Sequence, residues 1–130
     1  MSVWKIGAIE NEPQVRLARW RVLEASYLAA GALPTRHFVG CLAGDGTGRV
    51  CSAIQSIDLA TMRGVTRSGR VYELVGAPGW DSEGEYVWDV WCRINKVAAS
   101  TDVTAEVIPG MTAETAATKL RLRRTKGMST

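Results

Sequence analysis

Between His37 and Val75 the chain is broken every few residues by glycine-bearing turns, and the runs between those turns have strand length. Gly44-Asp45-Gly46-Thr47-Gly48 is the strongest of these signals, because Asp-Gly and the neighbouring glycines supply the positive φ angles that tight turns need. It joins His37–Leu42 to Arg49–Ile54, and Arg67-Ser68-Gly69 joins Gly64–Thr66 to Val71–Val75. Connections this short favour antiparallel neighbours over parallel ones. Upstream, Val3–Ile6 and Leu17–Val22 read as two more strands. In the second, Ala18, Trp20 and Val22 alternate with Arg19 and Arg21, as on a sheet with one wet face.

The periodicity changes after Gly76-Ala77-Pro78-Gly79. Val87, Val90, Trp91, Ile94 and Val97 share one arc of a helical wheel, opposite Glu85, Asp89, Arg93 and Lys96. Ser82 with Glu85 three residues on has the form of a capping box, so the helix is placed at 82–97. Asp102–Ile108 alternates as one last strand. The expected fold is therefore α+β, an antiparallel meander sheet of about five or six strands with one principal helix packed on one face.

A length of 130 residues suits one domain, and an apolar fraction of 46% with 22% charged residues suits a folded one. Residues 1–118 are taken as that domain. The remaining twelve, 119–130, form a basic tail carrying Lys119, Arg121, Arg123, Arg124 and Lys126 with no acid among them. Removing those five from the sixteen Lys and Arg leaves eleven against thirteen Asp and Glu, so the formal charge of +3 describes the tail more than the body. No apolar run has the length of a membrane span, and the first residues lack the apolar core of a signal peptide. A soluble, cytoplasmic protein is expected. Three cysteines without Cys-x-x-Cys spacing fit a reducing compartment and free thiols.

Few residues offer chemistry. His37 is the only histidine, and Cys41 on the same strand lies roughly 13 Å away at ~3.3 Å per residue, too far for a thiol–imidazole pair. A three-residue hairpin loop would set Cys51 opposite Cys41, within reach of a strained disulfide, although buried free thiols are the commoner outcome. The glycine run lacks the phosphate-loop pattern and precedes a strand rather than a helix. No carboxylate pair stands in a context that displaces its pKa, and no spacing supports a metal site. No catalytic residue, metal or cofactor is expected.

Binding groups are easier to find. Among five tryptophans, Trp4, Trp20 and Trp91 occupy core positions, whereas Trp80 in a loop and Trp88 at the border of the helix's polar arc are candidates for contacting a partner. Arg67 and Arg70, flanking the second turn, could extend the basic tail into a nucleic-acid patch. His37 and Tyr72 could anchor a small ligand between helix and sheet.

The segments Arg36–Gly40, Gly48–Ile54, Thr66–Gly76 and Tyr86–Trp88 resemble small uncharacterised accessory proteins of bacterial mobile elements, carried on plasmids, prophages or gene cassettes. The resemblance covers about the middle half of the chain and brings no catalytic or binding residues with it. It implies a small freestanding protein that helps an element or its host. The expected function is thus non-enzymatic binding of a macromolecular partner, a protein in the first place, with inhibition of a host system as one form. A nucleic-acid-associated protein and a small-ligand binder or minor enzyme are the alternatives.

Overall fold

The computed structural model describes residues 14–109, with strands β1 (Gln14–Tyr27), β2 (Thr35–Leu42), β3 (Gly48–Val50), β4 (Ile54–Asp58), β5 (Arg63–Thr66), β6 (Val71–Val75) and β7 (Val97–Asp102). Two helices accompany them, α1 (Ser82–Ile94) and the single turn α2 (Thr104–Val107). The class is α+β, but the sheet has seven strands and is not a simple meander. The expected strand at Val3–Ile6, Trp4 and the basic tail lie outside the described residues.

The path through the sheet is β3-β2-β1-β6-β5-β4, with β7 added to β1. Its two ends, β3 and β4, are consecutive in the chain and separated only by Cys51-Ser52-Ala53, so Val50 and Ile54 stand at most about 14 Å apart. The sheet therefore curls until its ends nearly meet. Backbone bonds stitch the gap, from Cys51 N to the Phe38 carbonyl and from Arg67 N to the Ala53 carbonyl. This curl explains why β6 runs parallel to β1, against the antiparallel expectation. Each tight turn reverses the chain, β3 and β4 act as one bent strand, and the fourth reversal restores the starting direction.

β1 is long enough to serve three neighbours along one edge. Gln14–Ala18 pairs with β6, the Trp20 carbonyl accepts from Gly79 N, and Leu23–Tyr27 pairs with β7. A bulge between Ala18 and Arg21, with Arg19 at φ +49°, makes the change of partner possible. It also shifts the alternation. Val15 and Leu17 face the inside of the curl before the bulge, and Trp20 and Val22 face it after. Phe38, Tyr72, Leu74, Val103 and Ile108 complete that inner core.

The outer face of β1 and β2 carries Leu23, Ala25 and Val39, which with Val50 of β3 form a second core under Val87 and Trp88 of α1. The helix is therefore turned from its expected orientation, with Trp88 buried and Ile94 exposed. Its start at Ser82 is the expected one, but the N-cap is Asp81, which accepts from Gly84 N at 2.9 Å, rather than Ser82. Glycines on both sides let the first turn lie directly on the strand backbone. A Cβ on Gly84 would stand 2.6 Å from the Gly40 carbonyl oxygen, and one on Gly48 would collide with the Glu83 carbonyl. Arg21 fastens the same end through ion pairs to Glu85 and, at 3.2 Å, Asp102.

After Ile94 the chain departs from expectation again. Lys96, at φ +55°, ends the helix, and Val97–Asp102 forms a strand where the helix was extended to 97. Asp102 then accepts from Thr104 N at 2.9 Å and turns the chain into α2, where Asp102–Ile108 was expected to be a strand.

A candidate ligand pocket

β1 and β2 are antiparallel with Ala25 opposite Thr35, which brings Tyr27 near the start of β2. The Tyr27 hydroxyl lies 2.6 Å from Thr35 Oγ1, and that oxygen lies 2.7 Å from His37 Nε2. The other ring nitrogen, Nδ1, is 2.9 Å from the Cys51 carbonyl oxygen. Thr35 and His37 share a face of β2 because strand side chains repeat every two residues. Trp91 and Trp88 of α1 cover the imidazole, with ring centroids 4.5 and 5.7 Å away, and stack on each other.

With a neutral ring, these bonds fix the direction of every proton. A carbonyl can only accept, so Nδ1 carries a hydrogen and donates to Cys51. Burial, reinforced by the nearby Arg67 charge, lowers the His37 pKa and keeps the ring neutral. Nε2 is then a lone pair, Thr35 donates to it, and Tyr27 donates to Thr35 in turn. His37 is only 2% exposed and has both nitrogens committed.

Above Tyr27 and Thr35 opens a surface pocket of about 470 Å³. The turn between β5 and β6 supplies Arg67, and the end of α1 supplies Asn95 and Lys96. The loop between β1 and β2 adds an apolar wall through Ala29, Ala32 and Leu33. The rim is held in place by backbone. Leu28 N donates to the Lys96 carbonyl, and the Arg67 turn is tied to the β3–β4 bend by the Ala53 bond and by Ser68 N to Ser52 Oγ. Arg67 and Lys96 have no ion-pair partner among the described residues.

The residues singled out from sequence fall in different places. His37 lies beneath the pocket, with Thr35 between it and the opening. Tyr72, 1% exposed, belongs to the inner core, where Arg49 Nε donates to its hydroxyl at 3.3 Å. Trp88 is 4% exposed and offers no free ring face, whereas Trp80 is 61% exposed. Arg67 is exposed but Arg70 is 6% exposed, so the two do not share a surface. Lys119, Arg121, Arg123, Arg124 and Lys126 lie outside the described residues. Sequence reading missed Tyr27, Thr35 and Lys96. Thr35-Arg36-His37 was the available clue, since it puts a hydroxyl beside the only histidine on one strand face.

The thiols are set apart from this chemistry. Burial pushes the Cys51 thiol up to about 12, and its sulfur accepts from Phe38 N rather than meeting the imidazole. Cys41 pairs with Gly48 in the ladder, so Cys51 is not its cross-strand neighbour, and all three cysteines are free. Among the described residues no group of three or more His, Cys, Asp and Glu could hold a metal, and no helix is long and apolar enough to cross a membrane.

A neutral buried imidazole gives stability a pH dependence of known sign. The unfolded chain takes up a proton on His37 near pH 6.5 while the folded chain resists it, so stability falls as pH drops through 6.5. Between pH 7.5 and 5.5 the loss is at most about 1.4 kcal/mol, the limit for one group titrated one unit below its free pKa. Denaturant unfolding at the two pH values measures it, and an unchanged or higher stability at pH 5.5 contradicts a neutral His37. No protein-family model, curated protein or solved structure matches this chain.

Proposed function

We propose that this protein is a non-enzymatic binding protein whose ligand is a small molecule seated over Tyr27 and Thr35. The observation that carries this reading is the hydrogen-bonded line from the buried His37 through Thr35 to Tyr27, which ends in the pocket. Its size falls within the usual range for small-ligand sites, with apolar walls and a few fixed polar groups. Absence of catalysis is part of the proposal. Both nitrogens of His37 are held in internal bonds, and burial keeps the Cys51 and Cys92 thiols protonated at neutral pH.

The test is enrichment from a mixture. The full chain is incubated with the small-molecule fraction of a bacterial extract, washed, denatured and analysed by mass spectrometry, beside an Ala32→Trp variant that fills the pocket mouth. Compounds retained by the native chain and lost from the variant are the expected result. Equal retention by both, or by neither, contradicts the reading.

A second reading keeps the macromolecular partner first expected from sequence. Trp80 and Tyr86, 61% and 57% exposed, flank the start of α1 and are large aromatic groups of the kind that anchor protein contacts. It requires a partner whose complex is lost on Trp80→Ala and Tyr86→Ala but kept on Ala32→Trp. Association with a mobile element, and inhibition of a host system, belong to this reading.

A further inference from the structure

We infer that the pocket takes a small organic anion that also carries a neutral hydrogen-bond donor, a hydroxy acid with an apolar body. This deepens the small-ligand reading and rests on it. The first half of the argument is charge. Among the described residues, Arg67 and Lys96 are the only ionisable groups on the rim apart from Tyr27, no carboxylate lines the pocket, and neither cation is ion-paired. Two cations over an apolar wall favour a carboxylate on an otherwise apolar molecule.

The second half is proton counting. Thr35 has one hydroxyl hydrogen, and it is spent on His37 Nε2. In the bond between Tyr27 and Thr35, Tyr27 must therefore be the donor, and its single hydrogen points inward. What Tyr27 presents to the pocket is an oxygen with lone pairs and no hydrogen to give. A ligand group there must donate. An ammonium would donate as well, but it would meet Arg67 and Lys96, so a hydroxyl is the group that suits both ends.

The test uses the full chain and three matched probes: mandelate, its O-methyl ether and mandelamide. Amide-resolved NMR titration locates each probe and gives its affinity. Mandelate should shift Thr35, Arg67 and Lys96; neutralising the acid should weaken binding by about tenfold or more, as for loss of a charge-assisted hydrogen bond, and capping the hydroxyl by roughly threefold to tenfold, as for loss of a neutral one. Two variants read the polarity. Arg67→Gln should shrink the preference for mandelate over mandelamide. Thr35→Val frees the Tyr27 hydrogen to donate outward, so it should shrink or reverse the preference for mandelate over its ether. A deletion of pocket volume alone would not do that. If all three probes bind at this pocket with equal affinity, the assignment to hydroxy acids is overturned while the ligand pocket stands. If mandelate shifts nothing while other small molecules shift these residues, the assignment is likewise overturned. If no small molecule shifts them at all, the pocket reading itself has failed.

Discussion

Gly84→Ala should destabilise the protein by about 2–3 kcal/mol, although alanine in a helix interior is ordinarily favoured over glycine by roughly 1 kcal/mol. The reversal comes from geometry. A Cβ at this position would lie 2.6 Å from the Gly40 carbonyl oxygen and 3.1 Å from the Gly40 Cα, and both are strand backbone that cannot rotate away. Gly40 is pressed from its other side as well, since its own missing Cβ would face the Ala18 carbonyl at 2.6 Å. Helix, β2 and β1 are thus stacked with glycine at each contact. Gly44→Ala is the control, because nothing stands within 4 Å of a Cβ there and its backbone is not in the left-handed region. That variant should be neutral or up to about 1 kcal/mol more stable. Chemical denaturation of the two decides the matter, and a stable Gly84→Ala protein would mean the helix does not lie on the strand as described.

Trp20→Ala should cost about 3–5 kcal/mol, the range for removing a large aromatic from a closed core. Trp20 is fully buried, sits just after the β1 bulge, and donates from Nε1 to the Gly76 carbonyl at 3.2 Å. Its loss leaves a cavity in the inner core and an unpaired carbonyl at the end of β6. Trp80→Ala, at an exposed position, should change stability by no more than about 0.5 kcal/mol. Equilibrium unfolding of both variants gives the comparison. Similar effects would contradict the division of tryptophans between core and surface.

The contrast between these tryptophans shows what the sequence made legible and where it stopped. Turns carry local signals, and the Gly44–Gly48 turn forms as read, with Gly46 at φ +77° and its N–H on the Leu42 carbonyl. The strand before it, His37–Leu42, falls within β2, but the expected strand Arg49–Ile54 breaks after Val50, because the chain bends through Cys51-Ser52-Ala53 and Ile54 starts β4. Helix α1 was legible from its period, but its rotation was not. The burial of Trp88 depends on what His37 and Ser100 place beneath it, through a ring contact and a 3.4 Å bond, and those partners are distant in sequence. Nothing in Ala18-Arg19-Trp20 announces a bulge, yet that one residue moves the inward face of β1 from odd to even positions. Val97–Asp102 has no clear period of its own. It becomes a strand because the second half of β1 has an open edge for it to fill.

The site was legible in the same partial way. As the only histidine, His37 stands out in the sequence as a polar anchor, whereas Arg67 stands out only as a turn residue suited to a nucleic-acid patch and not as part of a ligand site. Their relation depends on the β3–β4 bend, where Cys51 accepts from His37 and Ala53 accepts from Arg67 N. A curl that joins the two ends of a sheet is a long-range property. Tyr27 and Lys96 enter the pocket only through it and through the bond from Leu28 N to the Lys96 carbonyl.

The most direct measurement of the account is an amide-resolved NMR screen of the full chain against a general library of small fragments, with every perturbed residue mapped. The account predicts that hits converge on Thr35, Arg67, Asn95 and Lys96, and that Ala32→Trp abolishes them. Hits scattered over the surface, or gathered around Trp80 and Tyr86 with the pocket silent, would contradict it.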